Sequence, residues 1–185
     1  EFRRVLFRIW TAGEGGMIMK TTDGGQTWQN VSMSLPNLTL SGIRFVNANT
    51  GWLCGYLYDG TGKVFNSSDG GNNWVSESSI VTNAHLFDVF FTDINHGPAV
   101  GHEYYHVDKG TIIRTSDGGT TWVEQSSGTT EELRSVYFSD ENNGMVVGYR
   151  GTILKTTNGG TTCISQTSGT TESLESVSFI ESNTW

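Results

Sequence analysis

Two stretches of the sequence collect aromatic, imidazole and carboxylate side chains, the types that most often bind ligands. One lies around Tyr56 and the other around Tyr104, and both are longer than the matching segment near Arg150. Aromatic and polar side chains on loops of a rigid scaffold are typical of binding surfaces. We define the candidate binding face by these residues: Tyr56, Tyr58, Asp59, His102, Glu103, Tyr104, Tyr105, His106 and Asp108.

The second stretch also contains residue types that hold divalent metals. His102, His106, Glu103 and Asp108 supply imidazole nitrogens and carboxylate oxygens. A His-x-x-x-His spacing places both rings on one side of a helix, whereas in a loop it fixes no shared direction. We therefore predict no metal and no other cofactor, and the alternative to a binding face is a plain solvent-exposed insertion.

Both stretches interrupt a repeat that is marked by a short motif. Copies of the motif begin at Thr22, Ser68, Ser116 and Thr157, about 41–48 residues apart, a period that with β-type flanks indicates a propeller or a solenoid. Residues that recur in every copy build the scaffold. Any function must therefore lie in the parts that differ between copies.

The motif has the composition of a tight hairpin turn. An Asp carboxylate can accept backbone N–H groups, a Gly pair permits positive φ, and a Trp ring can pack between sheets. In the fourth copy Asn158 can still cap the turn, but Cys163 replaces the Trp, so we expect looser packing in that blade. The structural motif residues are Asp23, Gly25, Trp28, Asp69, Gly71, Trp74, Asp117, Gly119, Trp122, Asn158 and Gly160.

Four strand patterns accompany each copy, three before the motif and one after it. They predict an all-β chain that forms a β-propeller of four-stranded antiparallel blades. Residues 1–8 match no repeat and lack signal-peptide features, so we expect a non-native leader there. The repeats span 9–185, with a partial blade at 9–30, full blades at 38–80, 84–128 and 131–168, and the start of the next blade at 172–185.

Both ends of the repeat array fall inside a blade. We therefore expect a partial arc of about four blades from a larger propeller. A four-bladed ring closed by a strand at 172–180 is the alternative.

Charge and hydropathy restrict the partners. The chain of 185 residues has a net charge of −8, which argues against nucleic acid or an anionic membrane surface. No apolar run approaches the roughly 18 residues that span a bilayer, so we expect no direct membrane insertion. With only Cys54 and Cys163 present, we expect two unpaired thiols.

The motif resembles the Asp box, also called the BNR repeat, most closely at 21–28 and 115–122. The wider pattern over 133–160 resembles the photosystem II assembly and stability factor family and its non-photosynthetic bacterial relatives. The resemblance covers about residues 9–185 and implies a seven-bladed propeller that is secreted or periplasmic. Photosynthetic members bind membrane-protein partners during assembly with the help of a basic patch, whereas these repeats are acidic.

Asp boxes also occur in sialidases and xyloglucan hydrolases, which implies an alternative function as a fragment of a glycoside hydrolase. Sialidases need three convergent arginines, but Arg44 and Arg134 occupy different positions of their strands, and Arg114 sits at a structural position. Asp88 and Glu175 have no evident partner carboxylate. We predict no catalytic residues and a non-enzymatic scaffold that binds a protein or a glycan.

Overall fold

The computed structural model describes residues 7–77, 82–105 and 108–179. These residues form fifteen strands in four antiparallel sheets, together with one short 3₁₀ helix at Tyr149–Gly151. The prediction of an all-β propeller is confirmed. No helix among them is long and apolar enough to cross a membrane.

Each sheet is built from consecutive strands, so neighbouring strands are joined by hairpins. The first sheet has three strands and the others have four. The strands are β1 (Ile9–Ala12), β2 (Ile18–Thr21) and β3 (Gln29–Asn30); β4 (Leu38–Phe45), β5 (Gly51–Leu57), β6 (Gly62–Ser67) and β7 (Val75–Ser76); β8 (Ala84–Val89), β9 (Gly97–Glu103), β10 (Lys109–Thr115) and β11 (Val123–Gln125); and β12 (Leu133–Phe138), β13 (Gly144–Gly148), β14 (Ile153–Thr156) and β15 (Ile164–Gln166).

The four sheets form an open arc in which each packs on the next along the chain. No extensive contact joins the first sheet to the fourth in the described part of the chain, so the four-bladed ring is wrong. The start of the next blade at 172–185 stays a prediction, since the described part of it, 172–179, pairs with no described strand. That segment contacts the fourth sheet instead, where the Leu174 N–H donates to Gly148 O at 3.0 Å.

The core lies between the blades rather than inside any one of them. Three clusters of buried apolar side chains follow one another along the arc, and each joins two adjacent sheets. The first contains Ile18 and Leu53, the second Trp52 and Phe91, and the third Val100 and Leu133. A single blade therefore depends on its neighbours for a hydrophobic core.

A glycine near the end of the second strand of each full blade is explained by a register shift. The first strand skips one residue in its pairing, for example between Leu86 and Asp88. Residues that face such a bulge meet the partner backbone at short range. A Cβ on Gly101 would overlap the carbonyl oxygen of His85, and Gly55 and Gly148 face the same restriction.

The repeated motif closes the hairpin between the third and fourth strands of a blade. In the third sheet the Asp117 carboxylate accepts the Thr121 hydroxyl at 2.6 Å and the Thr121 N–H at 2.8 Å. The Thr115 hydroxyl donates to the same carboxylate at 2.8 Å and accepts the Gly119 N–H at 2.9 Å. Gly118 and Gly119 both have positive φ, as the hairpin requires.

The degenerate fourth copy keeps this hydrogen-bond pattern. Asn158 Oδ1 accepts the Thr156 hydroxyl and the Thr162 N–H, each at 3.0 Å. Its Nδ2 donates to the Thr162 hydroxyl at 2.9 Å. In the Asp117 turn the threonine hydroxyl is the donor, so here the equivalent pair of side chains bonds in the opposite direction. A neutral amide can therefore replace the motif carboxylate without loss of the turn.

These turns predict that stability falls in acid. Hydrogen bonds from Thr121 lower the pKa of Asp117 from its ordinary value of 3.8 to about 2, and bonds from Asn73 do the same for Asp69. The stabilisation is therefore complete above about pH 4 and is lost as the pH falls towards 2. We expect the melting temperature to drop over this window. Asp117→Asn should show a shallower drop, and identical pH profiles would contradict this origin.

An aromatic contact that we call the indole latch joins neighbouring blades near the motif. The Trp52 indole N–H donates to Gly118 O in the next blade at 3.0 Å, and its ring stacks on Phe91 at 3.6 Å. Trp10 makes the same pair of contacts one blade earlier, with Gly70 O at 3.2 Å and Phe45 at 3.9 Å. At the third joint Pro98 occupies this position, so no indole latch forms there.

The motif tryptophans complete two of these joints. Trp74 and Trp122 approach Phe45 and Phe91 edge-on, at centroid distances of 5.7 and 6.1 Å. Trp28 is 43% exposed, because the first sheet has no described strand at the position of β4 to supply such a phenylalanine. In the last blade Cys163 is only partly buried, and its small side chain offers no ring for this contact.

Candidate functional site

The binding-face residues lie at the end of the sheets where β5 joins β6 and β9 joins β10. His102 and Glu103 belong to β9, so the expectation that both lie in a loop is wrong. Glu103 pairs with Ala84 on one side and Lys109 on the other, which extends the strand. His106 lies outside the described residues.

An aromatic cluster joins the second and third blades at this end. Tyr56 stacks on His85 with ring centroids 3.9 Å apart and planes only 4° from parallel. Tyr104 approaches His85 edge-on at 5.0 Å, and Tyr105 packs on Gly60, where a Cβ would overlap its ring. We define the aromatic cluster as Tyr56, His85, Tyr104 and Tyr105.

His85 is not among the residues predicted from the sequence. It is the central ring of the cluster, and burial lowers its pKa although the carboxylate of Glu132 acts in the opposite direction. Alignment of the repeats could have pointed to this position. In each full blade one residue directly precedes the leucine of the first strand and lies next to the end of the second strand. These residues are Thr39, His85 and Glu132.

A polar chain connects the aromatic cluster to the fourth blade. The Tyr104 hydroxyl donates to the Glu132 carboxylate, which also pairs with Arg134. The Arg134 guanidinium of the fourth blade lies over the Phe87 ring of the third blade at 4.8 Å, which adds a second contact between these two blades. Burial and the bond to Glu132 raise the pKa of Tyr104, so its hydroxyl stays a donor at neutral pH.

A cleft of about 290 Å³ lies between the third and fourth blades beside this chain. His102 forms part of its wall and is only 4% exposed. His102 Nε2 lies 2.9 Å from Thr130 O and 3.2 Å from an Asp108 carboxylate oxygen. We call this space the inter-blade cleft, lined by His102, Tyr104, Asp108, Thr130, Glu131, Glu132, Tyr149 and Arg150.

The other predicted residues do not join this group. Tyr58 and Asp59 line a separate groove of about 210 Å³ beside Leu35 and Pro36. Asp59 accepts the Thr61 N–H at 2.9 Å, and its hydrogen bonds to Thr61 lower its pKa, as expected for a turn-capping carboxylate. Glu103 lies 3.8 Å from Lys109 in a neighbouring strand. The binding face thus divides into two parts.

The geometry offers little for metal binding. Within the described ranges, no group of three or more His, Cys, Asp or Glu side chains is placed to hold an ion. His102 and Asp108 contact each other, while Glu103 is turned to Lys109. Cys54 and Cys163 are both free thiols.

The two carboxylates considered for hydrolysis are both engaged in contacts. Asp88 accepts the Ser135 hydroxyl at 2.9 Å and the Val136 N–H at 3.0 Å, which ties the third blade to the fourth. Burial raises the pKa of Asp88, although its hydrogen bonds act to lower it. Glu175 lies 3.8 Å from Arg134.

The arginines near these carboxylates do not converge on one point. Arg44 lies over the Phe90 ring at 4.1 Å, whereas Arg134 lies over Phe87. Arg114 reaches the fourth blade from the other end of the sheet, where it donates to Glu141 O at 3.4 Å. These contacts hold adjacent blades together, as the sequence position of Arg114 indicated.

Comparisons with known proteins agree on the fold. No protein-family model matches the sequence, and no curated protein does either. The structure of YCF48 bound to a D1 peptide is 18% identical with a TM-score of 0.65, over 92% of this chain and 53% of that one. An ancestral GH74 enzyme is 21% identical with a TM-score of 0.66, over 84% of this chain and 22% of that one.

A third similar structure is the GH74 xyloglucanase from Xanthomonas campestris. It is 15% identical with a TM-score of 0.62, over 83% of this chain and 26% of that one. The chain thus spans about half of the YCF48 structure and about a quarter of each of the two enzymes. At such low identity the likeness concerns architecture alone. The chain has a blade architecture that is found both in YCF48 and in GH74 enzymes.

Proposed function

We propose that this chain is a non-enzymatic scaffold that binds a protein segment at the aromatic cluster and the inter-blade cleft. The exposure of the tyrosines supports this most directly, since Tyr104 is 44% and Tyr105 61% exposed although strand ends hold them in place. Large aromatic side chains that remain exposed on a rigid frame are characteristic of interaction sites.

The comparison with YCF48 supports a peptide as the ligand. That structurally similar protein is bound to a D1 peptide, so a propeller with similar blades can bind a peptide. A glycan is the alternative ligand for this chain, because exposed tyrosine rings also offer flat faces to sugars. We further propose that the protein is exported by a bacterium, which fractionation of the source cells would test.

The second candidate is a piece of a glycoside hydrolase, favoured by the similarity to GH74 structures. Against it, Asp88 and Glu175 are each engaged in blade contacts rather than facing each other across a cleft. An assay for reducing sugar released from xyloglucan, and for free sialic acid from a sialylated glycan, separates the two. Sustained turnover would overturn the scaffold proposal.

The double variant Tyr104→Ala, Tyr105→Ala tests the binding face. We expect capture of partner proteins by the immobilised chain to fall by at least tenfold, the size of effect that central aromatic anchors produce. Val123→Ala is the matched control, because Val123 is 60% exposed on the outer strand β11, away from the face. Unchanged capture by the tyrosine variant, with a folded circular dichroism spectrum, would contradict the assignment.

A further inference from the structure

The inter-blade cleft is lined mainly by hydrogen-bond acceptors. Asp108, Glu131 and Glu132 contribute carboxylates, and Arg150 is the one lysine or arginine among the described lining residues. Arg150 lies 3.9 Å from Glu131 and Arg134 pairs with Glu132, so Asp108 is the carboxylate of the described lining that no lysine or arginine opposes. The lining therefore has an excess of negative charge, in keeping with the net charge of −8 for the chain.

The His102 imidazole also forms part of this wall. A carbonyl oxygen can only accept, so the contact of 2.9 Å with Thr130 O requires that His102 Nε2 carry the proton. In the neutral ring Nδ1 then has a free lone pair. Nδ1 is buried and has no hydrogen-bond partner, although the residue is only 4% exposed. Buried polar atoms are rarely left without a partner in native proteins.

Two tyrosines line the cleft. Tyr104 is 44% exposed and Tyr149 is 46% exposed. The face of a tyrosine ring attracts a cation through its quadrupole, and arginine uses this contact more often than lysine. Carboxylates and tyrosine rings favour the same ligand chemistry, a planar cation that donates hydrogen bonds.

We propose that the inter-blade cleft binds the guanidinium of an arginine in the partner segment, while the rest of that segment lies along the aromatic cluster. A guanidinium has five donors and no acceptor, which complements this lining. The inference rests on the proposed binding function and specifies the charge of the partner. It assigns a cationic ligand to an acidic surface, so association should weaken as salt is added.

Nuclear magnetic resonance titration with a minimal probe tests the proposal directly. The probe is N-acetyl-arginine methylamide, and N-acetyl-glutamate methylamide is the control of opposite charge. We expect the arginine probe to shift the backbone amides of Thr130, Glu131 and Tyr104, and the glutamate probe to leave them unchanged. Shifts that map elsewhere, or equal shifts with both probes, would overturn the proposal.

Charge-removing variants provide the matched test. Asp108→Asn combined with Glu131→Gln keeps side-chain shape and should weaken binding of the arginine probe by about tenfold, since two charge-assisted contacts are lost. Glu141→Gln removes the same kind of charge from the turn between β12 and β13, at the opposite end of the fourth sheet. Equal weakening by Glu141→Gln would show only a general charge effect and would overturn the proposal.

The two proposals fail in different ways. If the tyrosine double variant loses partner proteins but the arginine probe never binds the cleft, the binding face stands and the cationic ligand is wrong. If the arginine probe binds the cleft as expected but partner capture does not depend on the tyrosines, the cation site stands and the proposed function is wrong.

Discussion

Replacement of Trp52 by alanine is expected to lower the free energy of unfolding by about 3–5 kcal/mol, the usual cost of removing a buried aromatic side chain. Trp52 is 1% exposed and lies in the core cluster that joins the second and third blades. Its ring stacks on Phe91 and its indole N–H binds Gly118 O. The variant therefore loses apolar burial, ring stacking and a blade-to-blade hydrogen bond together. Denaturant titration followed by tryptophan fluorescence and circular dichroism measures the loss.

Two further variants separate these contributions. Trp52→Phe keeps an aromatic ring next to Phe91 but removes the indole N–H, so we expect a smaller loss of about 1–2 kcal/mol. Trp28→Ala removes the same side-chain type from a motif position that is 43% exposed, and should cost clearly less than Trp52→Ala. If Trp28→Ala were as damaging as Trp52→Ala, the indole latch would not be the reason for the effect.

Gly101→Ala is expected to destabilise the chain by about 1–3 kcal/mol or more, the range for overpacking a tightly filled site. The added Cβ overlaps the carbonyl oxygen of His85, and backbone atoms cannot move aside as a flexible side chain can. Since Gly101 pairs with both Leu86 and Thr111, relief requires β9 to separate from a neighbouring strand. The midpoint of denaturant unfolding gives the measure.

Gly13→Ala is the matched control for this prediction. A Cβ at Gly13 meets nothing within 4 Å, and its backbone conformation does not require glycine. We expect its effect on the free energy of unfolding to stay within about 0.5 kcal/mol, as for ordinary surface substitutions. Equal destabilisation by the two variants would show that loss of glycine flexibility, rather than overlap at the register shift, is responsible.

The blade architecture could be predicted from the sequence because its signal is local and repeated. The turn at Asp117 depends on side chains within six residues of one another, and the same contacts recur at Asp69. The substitution of Asn158 was also interpretable, since an amide oxygen accepts the same backbone N–H as a carboxylate oxygen. Short-range chemistry of this kind is visible in a single sequence.

The site was harder to predict because its contacts cross between blades. His85 stacks on Tyr56 of the preceding blade, and Tyr104 binds Glu132 of the following one. Alignment of the repeats relates equivalent positions but not the residues that meet across a joint. Asp88 shows the same limit, since its bonds to Ser135 and Val136 depend on the packing of β8 against β12.

The missing latch at Pro98 has a thermodynamic consequence for the whole array. In a quasi-one-dimensional repeat protein, stability is the sum of the intrinsic stability of each repeat and the coupling between nearest neighbours. The joint between the third and fourth blades lacks this indole contribution to its coupling and relies on other contacts, such as the bonds of Asp88 to Ser135 and Val136. The inter-blade cleft spans that same joint. A ligand in this cleft binds only when the joint is closed. By mass action its binding free energy therefore stabilises this joint, as the indole contact stabilises the other two.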